Sequence, residues 1–377
     1  MFGCVVSNLL DQNPVNLYII GPSGSGKTEL IQSMFGFNKI FPLSDLTPNT
    51  FVSGYGGKYT KGEDSLLNEL SNTGVRVIAI KEFSGILGLR HEKRMEIIKK
   101  IREIADGRVD SSFGNKVRFS WKGHLGFIIG TTSAIYKESA VNHEIGERFV
   151  YFRIFCKDRK KVAAKSEENA STIETIRKEL EDCVTEFLSQ FIDPFEDQPA
   201  NNVVTVSNVI KDKFINLCDY VSMCRSNVSR NRFTRVMDYM PEIESPARLA
   251  QQLKNLACGI ALVQDKKTID TDIYRILAKI AHDSIHPIRG TIIQMMWDGD
   301  YFDNQWSKHT NICQRLCLPH STATYYLEEM EALSMMERRM ENGGLEWRME
   351  ENLVDMIVKS EAYKLKEKKH EKETDEW

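Results

Sequence analysis

Along the first 155 residues, short runs that are apolar at nearly every position alternate with stretches whose apolar residues recur at helical spacing. Val15–Ile20 is a β-rich run of the first kind, and Glu29–Phe35 follows with a helical pattern closed by Gly36. Ser65–Leu70 is a short helix candidate. Gly74 then breaks the chain before a second buried strand, Val75–Phe83. From Arg90 to Ile104 the apolar residues Met95, Ile97, Ile98, Ile101 and Ile104 share one face between charges, which predicts an amphipathic helix that Asp106-Gly107 ends. Val117–Trp121, Leu125–Gly130 and Val150–Ile154 read as further strands. Residues 37–75 are otherwise polar and rich in Gly and Thr. Residues 1–14 are too short for a domain and end in turn chemistry at Asp11–Pro14.

Beyond residue 155 the pattern turns helical. Lys157–Lys161 is a basic run that reads as a solvated loop. Ser166–Phe191 carries Ile173, Ile176, Leu180, Val184, Phe187 and Leu188 on one helical face, and Asp193–Pro199 is a linker. Val209–Tyr220 predicts another helix. Arg225, Arg230, Arg232 and Arg235, with Asn and Ser between them, form a local basic cluster. Asp272–Ala281 is a further helix whose continuation Pro287 limits.

The C-terminal stretch Thr291–Trp347 has its own logic. Thr291–Trp297, Asn311–Leu316 and Thr322–Leu333 predict three helices, and Met335–Met340 and Leu345–Met349 predict two strands about Gly343-Gly344. This order resembles a winged helix-turn-helix. The start of its third helix offers His320, Ser321, Thr322, Thr324 and Tyr325 to phosphates or base edges, with Arg338, Arg339 and Arg348 on the wing. Glu328, Glu329 and Glu331 on the same helix oppose the positive charge that DNA affinity draws on, so protein docking stays open beside DNA binding.

The most specific chemistry is Gly21-Pro22-Ser23-Gly24-Ser25-Gly26-Lys27-Thr28, which fits the pattern G-x-x-x-x-G-K-[ST] between a strand and a helix. Glycines let the backbone turn its N–H groups onto phosphate oxygens, and the following helix, entered at Thr28 and Glu29, adds its positive dipole end. Lys27 supplies a point charge for the β- and γ-phosphates, and the Thr28 hydroxyl is a ligand for Mg²⁺. Glu82, closing the second buried strand, is the candidate acid that orients the same Mg²⁺. Many such sites carry a second acid next in sequence to activate water. Here Phe83 stands there, and the catalytic base is not identified. Thr131 and Thr132 close a further strand where a polar residue can reach the γ-phosphate or the water. Arg148, just before Val150–Ile154, is the candidate to stabilise transferring phosphoryl charge in a neighbouring subunit, with Arg153 the lesser choice.

Composition sets limits on partners. The 377 residues carry a formal net charge of −3, so attraction to nucleic acid must be local. Eight cysteines lie scattered without a CxxC pair. The nearest approach to a metal set, Cys313 and Cys317 with His309 and His320, reads better as helix. Free thiols without a signal peptide imply a reducing cytosol, and no apolar run reaches membrane-spanning length.

Together these landmarks resemble an AAA+ ATPase of the kind carried by phages and mobile elements. The likeness lies in Lys81-Glu82-Phe83, Arg102-Glu103 with Asp106-Gly107-Arg108, Phe113-Gly114-Asn115, Trp121-Lys122-Gly123 and Gly146–Phe149. A second likeness, in Pro246–Leu253, Leu256–Leu262 and Ile269–Asp272, is to the lid of the minichromosome-maintenance helicase and magnesium-chelatase branch. The resemblance implies an α/β fold: a P-loop AAA+ core with a parallel sheet (residues 1–155), a helical extension (156–240), a helical lid (241–290), a C-terminal winged helix-turn-helix (291–350) and a charged tail (351–377). It implies Glu82 as the Walker B acid, Thr131 or Thr132 at sensor 1, Arg148 as the arginine finger and Arg248 as sensor 2, with Arg289 the alternative. It further implies ATP with Mg²⁺, a homo-oligomeric ring, and DNA as partner with no membrane. The expected function is an ATP-driven helicase-like motor or loader, or else a nucleotide-controlled regulator with slow hydrolysis.

Overall fold

The computed structural model describes residues 1–52, 65–113, 118–137, 148–195, 198, 204–231, 233–300 and 305–363, with the backbone alone at 299 and 300. In chain order the first half holds α1 (Phe2–Ser7), β1 (Asn16–Ile20), α2 (Lys27–Gln32), β2 (Ile40–Leu43), α3 (Leu66–Asn72), β3 (Val77–Ile80), α4 (Ser84–Leu87), α5 (His91–Ala105), β4 (Arg108–Ser112), β5 (Arg118–Lys122), β6 (Gly126–Thr131) and β7 (Phe149–Arg153). Five of these strands make one sheet in the order β2-β3-β6-β1-β7, every neighbouring pair parallel. The fold class is therefore α/β. All residues of β1, β3 and β6 are buried, as their unbroken apolar runs require when helices cover both sheet faces. β2 falls in the polar stretch whose sequence reads as irregular. Its Pro42 is tolerated because β2 is the edge strand, where a missing N–H costs no ladder bond on the open side. The antiparallel hairpin β4–β5 stands between α5 and β6, and buries Val109, Phe119 and Trp121 in alternation.

The second half holds α6 (Arg159–Glu168), α7 (Ile173–Ser189), α8 (Ile192–Phe195), β8 (Thr205–Val206), α9 (Asn208–Arg225), α10 (Pro246–Val263), β9 (Thr268–Ile269) and α11 (Thr271–Asp283). It closes with α12 (Pro287–Asp300), β10 (Ser307–Lys308), α13 (His309–Leu316), α14 (His320–Ala332), β11 (Met336–Glu341), β12 (Gly344–Met349) and α15 (Glu351–Ser360). Several expectations change. The run Lys157–Lys161 is mostly helix, because Asp158 caps α6 through the Lys161 amide. The long helix expected over Ser166–Phe191 is broken by a turn at 169–172. α11 ends at Asp283, before Pro287, and Pro287 in turn opens α12, since its missing N–H is free of cost at a first helical turn.

Two terminal segments are part of the core. α1 packs on α10, where Gly3 and Gly259 let the helices touch: a Cβ on Gly259 would lie 1.9 Å from the Gly3 carbonyl oxygen. Asn8 ties the same helix to the sheet by paired hydrogen bonds with the Val15 backbone, each 3.0 Å. Residues 351–360, expected as charged tail, instead form α15 on α9, with Leu353, Met356 and Ile357 buried. The tail beyond 363 lies outside the described residues. On one side of the sheet the apolar core runs without a break through α9, α10 and α11 into α12–α14. The opposite side has its own core around α3 and α5. The C-terminal helices carry a three-stranded antiparallel sheet, β10-β12-β11.

Candidate phosphate-binding site

The strand order brings three distant stretches to one edge. Ile20 pairs with Thr131, and Ile80 pairs with Ile129, so the ends of β1, β6 and β3 lie side by side. The Gly21 amide donates to the Thr131 carbonyl at 3.2 Å, and the Phe83 amide donates to the Gly130 carbonyl at 2.8 Å. The glycine-rich loop leaves β1 at this edge and turns through Gly24 and Gly26, whose φ angles are +74° and +81°. A side chain would be strained at either. A Cβ built on Gly24 or Gly26 meets no atom within 4 Å, so the loop frames an open concavity.

Lys27 is buried. Its ammonium donates to the carbonyls of Gly21 and Pro22, both at 2.8 Å, and to Ser25 Oγ at 3.4 Å. Burial holds it below the usual lysine range, an effect that the Glu82 carboxylate partly opposes. Glu82 is exposed and accepts the Ser84 amide at 2.9 Å, fixing the turn into α4. The Ser84 and Thr132 hydroxyls lie 3.1 Å apart, while Thr131 is fully buried. Phe83, where a second acid would stand, is fully buried. The donor set suits a polyphosphate with Mg²⁺. A lysine whose partners are its own loop carbonyls can exchange them for phosphate oxygens, and a hydroxyl (Thr28) and a carboxylate (Glu82) are hard-oxygen ligands.

Sequence reasoning missed one contact. Arg177 of α7 grips Glu29, the residue after Thr28, with bonds of 2.9 and 2.6 Å. These bonds hold the Glu29 carboxyl below the usual carboxylate range. The two residues are 148 apart, so no local pattern marks the pair.

The predicted arginines lie elsewhere. Asn16 pairs with Phe149, so Arg148 sits beside the start of β1, a strand length of roughly 16 Å from the loop at its end. Its guanidinium is bidentate to Asp106, at 2.7 and 2.8 Å. Arg248 is exposed, one helical turn from Gln252, whose amide donates to the Arg148 carbonyl at 2.6 Å. Both arginines therefore share the edge opposite the loop. Arg153 is at the loop's edge but is engaged with the Tyr136 hydroxyl, at 2.7 Å, and the Ile285 carbonyl. Arg289 is buried against Glu329 at 2.8 Å, far from the role weighed for it. Gly146 and Asn115 lie outside the described residues.

At the C-terminal unit, the start of α14 is less open than its sequence suggests. His320 and Ser321 are exposed, Thr322 and Thr324 are half-buried, and the Arg230 guanidinium stacks 4.2 Å over the Tyr325 ring. The wing arginines are paired, Arg338 with Glu331 at 2.9 Å and Arg348 with Glu337 at 2.9 Å. Arg339 pairs with Glu346 at 2.8 Å and, like Arg348, lies over Trp306. Among the described residues no group of three or more His, Cys, Asp or Glu could hold a metal ion, and no helix is long and apolar enough to cross a membrane. Comparison with protein-family models and with curated proteins gave no match for this chain.

Proposed function

We propose that this chain is an AAA+ ATPase of the phage and mobile-element type that binds and hydrolyses ATP between copies of itself and acts on DNA. The observation that carries the reading is the meeting of the glycine-rich loop, Glu82 and Thr131 at one edge of a parallel sheet, from three separate stretches of sequence. The loop amides and Lys27 bind the β- and γ-phosphates, with Lys27 giving up the Gly21 and Pro22 carbonyls. Thr28 and Glu82 hold Mg²⁺, which when bound neutralises phosphate charge. Thr131 or Thr132, the latter hydroxyl 3.1 Å from that of Ser84 and the less buried of the two, orients the γ-phosphate or the attacking water. Arg148 and Arg248 cannot reach their own loop, and their common edge supports supply to a neighbour's site in a ring, Arg148 leaving Asp106 as it does so. The helices α12–α14 with the sheet β10-β12-β11 support a winged helix-turn-helix that engages DNA.

A second reading, a nucleotide-controlled switch with slow hydrolysis, is favoured by the fully buried Phe83 where an activating acid would stand. The test is ATP turnover by the purified chain across protein concentrations, with and without DNA, beside Lys27→Ala and Arg148→Ala. The motor reading expects turnover that rises steeply with concentration, rises again with DNA and disappears in both variants. ATP binding that needs Lys27 without turnover in any condition would replace the motor by the switch.

A further inference from the structure

Between α9 and α10, residues 229–231 and 233–238 form a hairpin that carries Arg230 and Arg235 of the arginine cluster; Arg232 lies outside the described residues. Asn231 Oδ1 accepts the amides of Phe233 and Thr234 at 2.9 and 3.0 Å, and the Asn231 amide donates across the turn to the Val236 carbonyl at 2.9 Å. Arg235 takes a left-handed φ of 63°, and Ser229 Oγ donates to Asp238 at 2.6 Å. The neck is closed by a buried ion pair between Arg225 and Glu244. Arg230 fastens the hairpin to α14: its Nη2 donates to the Tyr325 carbonyl at 2.9 Å, and it pairs with Glu328 and Glu329.

With Arg230 so engaged, Phe233 and Arg235 stand among the exposed side chains of the tip, beside Thr234 and Val236. Phe233 is 90% exposed, and Arg235 is exposed with no ion-pair partner among the described residues. A cleft of about 1660 Å³ lies between the hairpin, the start of α14 and the outer edge of β7. Thr234, Arg235, His320, Ser321, Thr322 and Arg338 line its polar side. The acids in its wall, Glu328, Glu329 and Glu331, are matched by Arg230, Arg289 and Arg338. Uncompensated charge in the cleft is thus positive, in a chain whose net charge is negative.

A helix enters the major groove of a duplex only if its reading face is open. In α14 the Arg230 guanidinium lies over Tyr325, and Arg230 and Arg289 engage Glu328 and Glu329 in the next turn, so only the first turn, with His320 and Ser321, stays open. A polar groove with one uncompensated arginine, next to a projecting aromatic ring, suits a strand whose bases are free to stack. We infer that the cleft holds an unpaired DNA strand, with Phe233 stacking on a base and Arg235 on a phosphate. The inference rests on the reading that the protein acts on DNA and names the form of DNA and the place that holds it.

The experiment is fluorescence anisotropy of fluorescein-labelled dT30 and of the blunt dT30·dA30 duplex with the full chain, at 50 to 200 mM salt. Wild type, Phe233→Ala, Phe233→Trp and Arg235→Gln are compared, with a fluorescent ATP analogue and sedimentation measured on the same preparations. dT30 is expected to bind more tightly than the duplex. Phe233→Ala weakens dT30 by roughly 5- to 100-fold, Phe233→Trp restores it, and Arg235→Gln lowers the salt slope by about 0.7. Because both side chains are exposed, melting temperatures stay at the wild-type value. Equal affinity for both DNAs with Phe233→Ala unchanged overturns the inference. So does a loss of assembly mass in Phe233→Ala with DNA affinity intact, which makes the hairpin a protein interface. ATP binding without any DNA binding removes the cleft's role while leaving the nucleotide site standing. If neither binds, the functional reading itself falls.

Discussion

Glu329 is held between two buried arginines, and removing it is the sharpest test of how the C-terminal unit is fastened to the rest. Its Oε2 lies 2.8 Å from Arg289 and its Oε1 3.3 Å from Arg230. The three side chains are only 5–7% exposed. At these separations each contact is worth about 5 kcal/mol of attraction at an effective dielectric of about 20, and desolvation of the charges offsets most of that sum. Glu329→Ala removes the attraction and leaves two cations buried together, so unfolding should become easier by about 3–5 kcal/mol. Glu328→Ala, whose carboxylate is 35% exposed and 3.4 Å from Arg230, should cost under about 1 kcal/mol. Replacing the set at once, Arg230→Met, Arg289→Leu and Glu329→Met, should recover most of the loss because no fully buried charge is left unpaired, and Glu328, which loses Arg230, is 35% exposed and can turn to water. The assay is urea unfolding followed by tryptophan fluorescence and by far-UV circular dichroism, whose coincidence checks two-state behaviour. A Glu329→Ala cost no larger than that of Glu328→Ala would refute the reasoning, as would a triple variant no better than the single.

Gly26→Ala forces a side chain onto a φ of +81° in open space, so the effect is backbone strain alone, about 1–2 kcal/mol. Affinity for a fluorescent ATP analogue should fall roughly 5- to 30-fold, while Gly85→Ala, in open space within α4, leaves it unchanged. Gly259→Ala would place its Cβ 1.9 Å from the Gly3 carbonyl oxygen, and urea unfolding should reveal a loss of about 1–3 kcal/mol. Gly290→Ala, whose nearest neighbour is at 3.7 Å, should be near neutral in the same measurement. Burial lowers His282 and His286 to about 4, with neighbouring cations adding to the effect. The unfolded chain therefore binds more protons than the folded one between pH 4 and about 6.5. Stability is full above that window and declines as pH falls through it, by about 2 kcal/mol per histidine between pH 7 and 5. His282→Phe should remove one such share from the pH dependence of the urea midpoint.

Much of the α/β half was legible. The buried strands are apolar at consecutive positions, and the long helix α5 repeats its apolar face at helical spacing, so local pattern was enough. β2 and β4 were not legible, since one carries a proline and the other a single buried apolar residue. α15 was read as tail because its apolar face is only a few residues deep and a Lys/Glu-rich run follows it directly. The phosphate loop was readable because its geometry is made by the glycines at 21, 24 and 26 and by backbone amides within eight residues.

The sequence by itself therefore determined the local chemistry: a loop that can cradle phosphate, the acid after a buried strand, and a basic cluster with Asn and Ser between its arginines. Tertiary structure alone decided what those groups meet. Sheet register brought Glu82 and Thr131 beside the loop and set Arg148 and Arg248 on the opposite edge. Packing of α14 set Tyr325 under Arg230, and the hairpin left Phe233 in solvent. The physical reason is range. Backbone turns and helical faces depend on neighbours a few residues away, whereas ion pairs such as Arg177 with Glu29 join groups that only the folded chain makes adjacent.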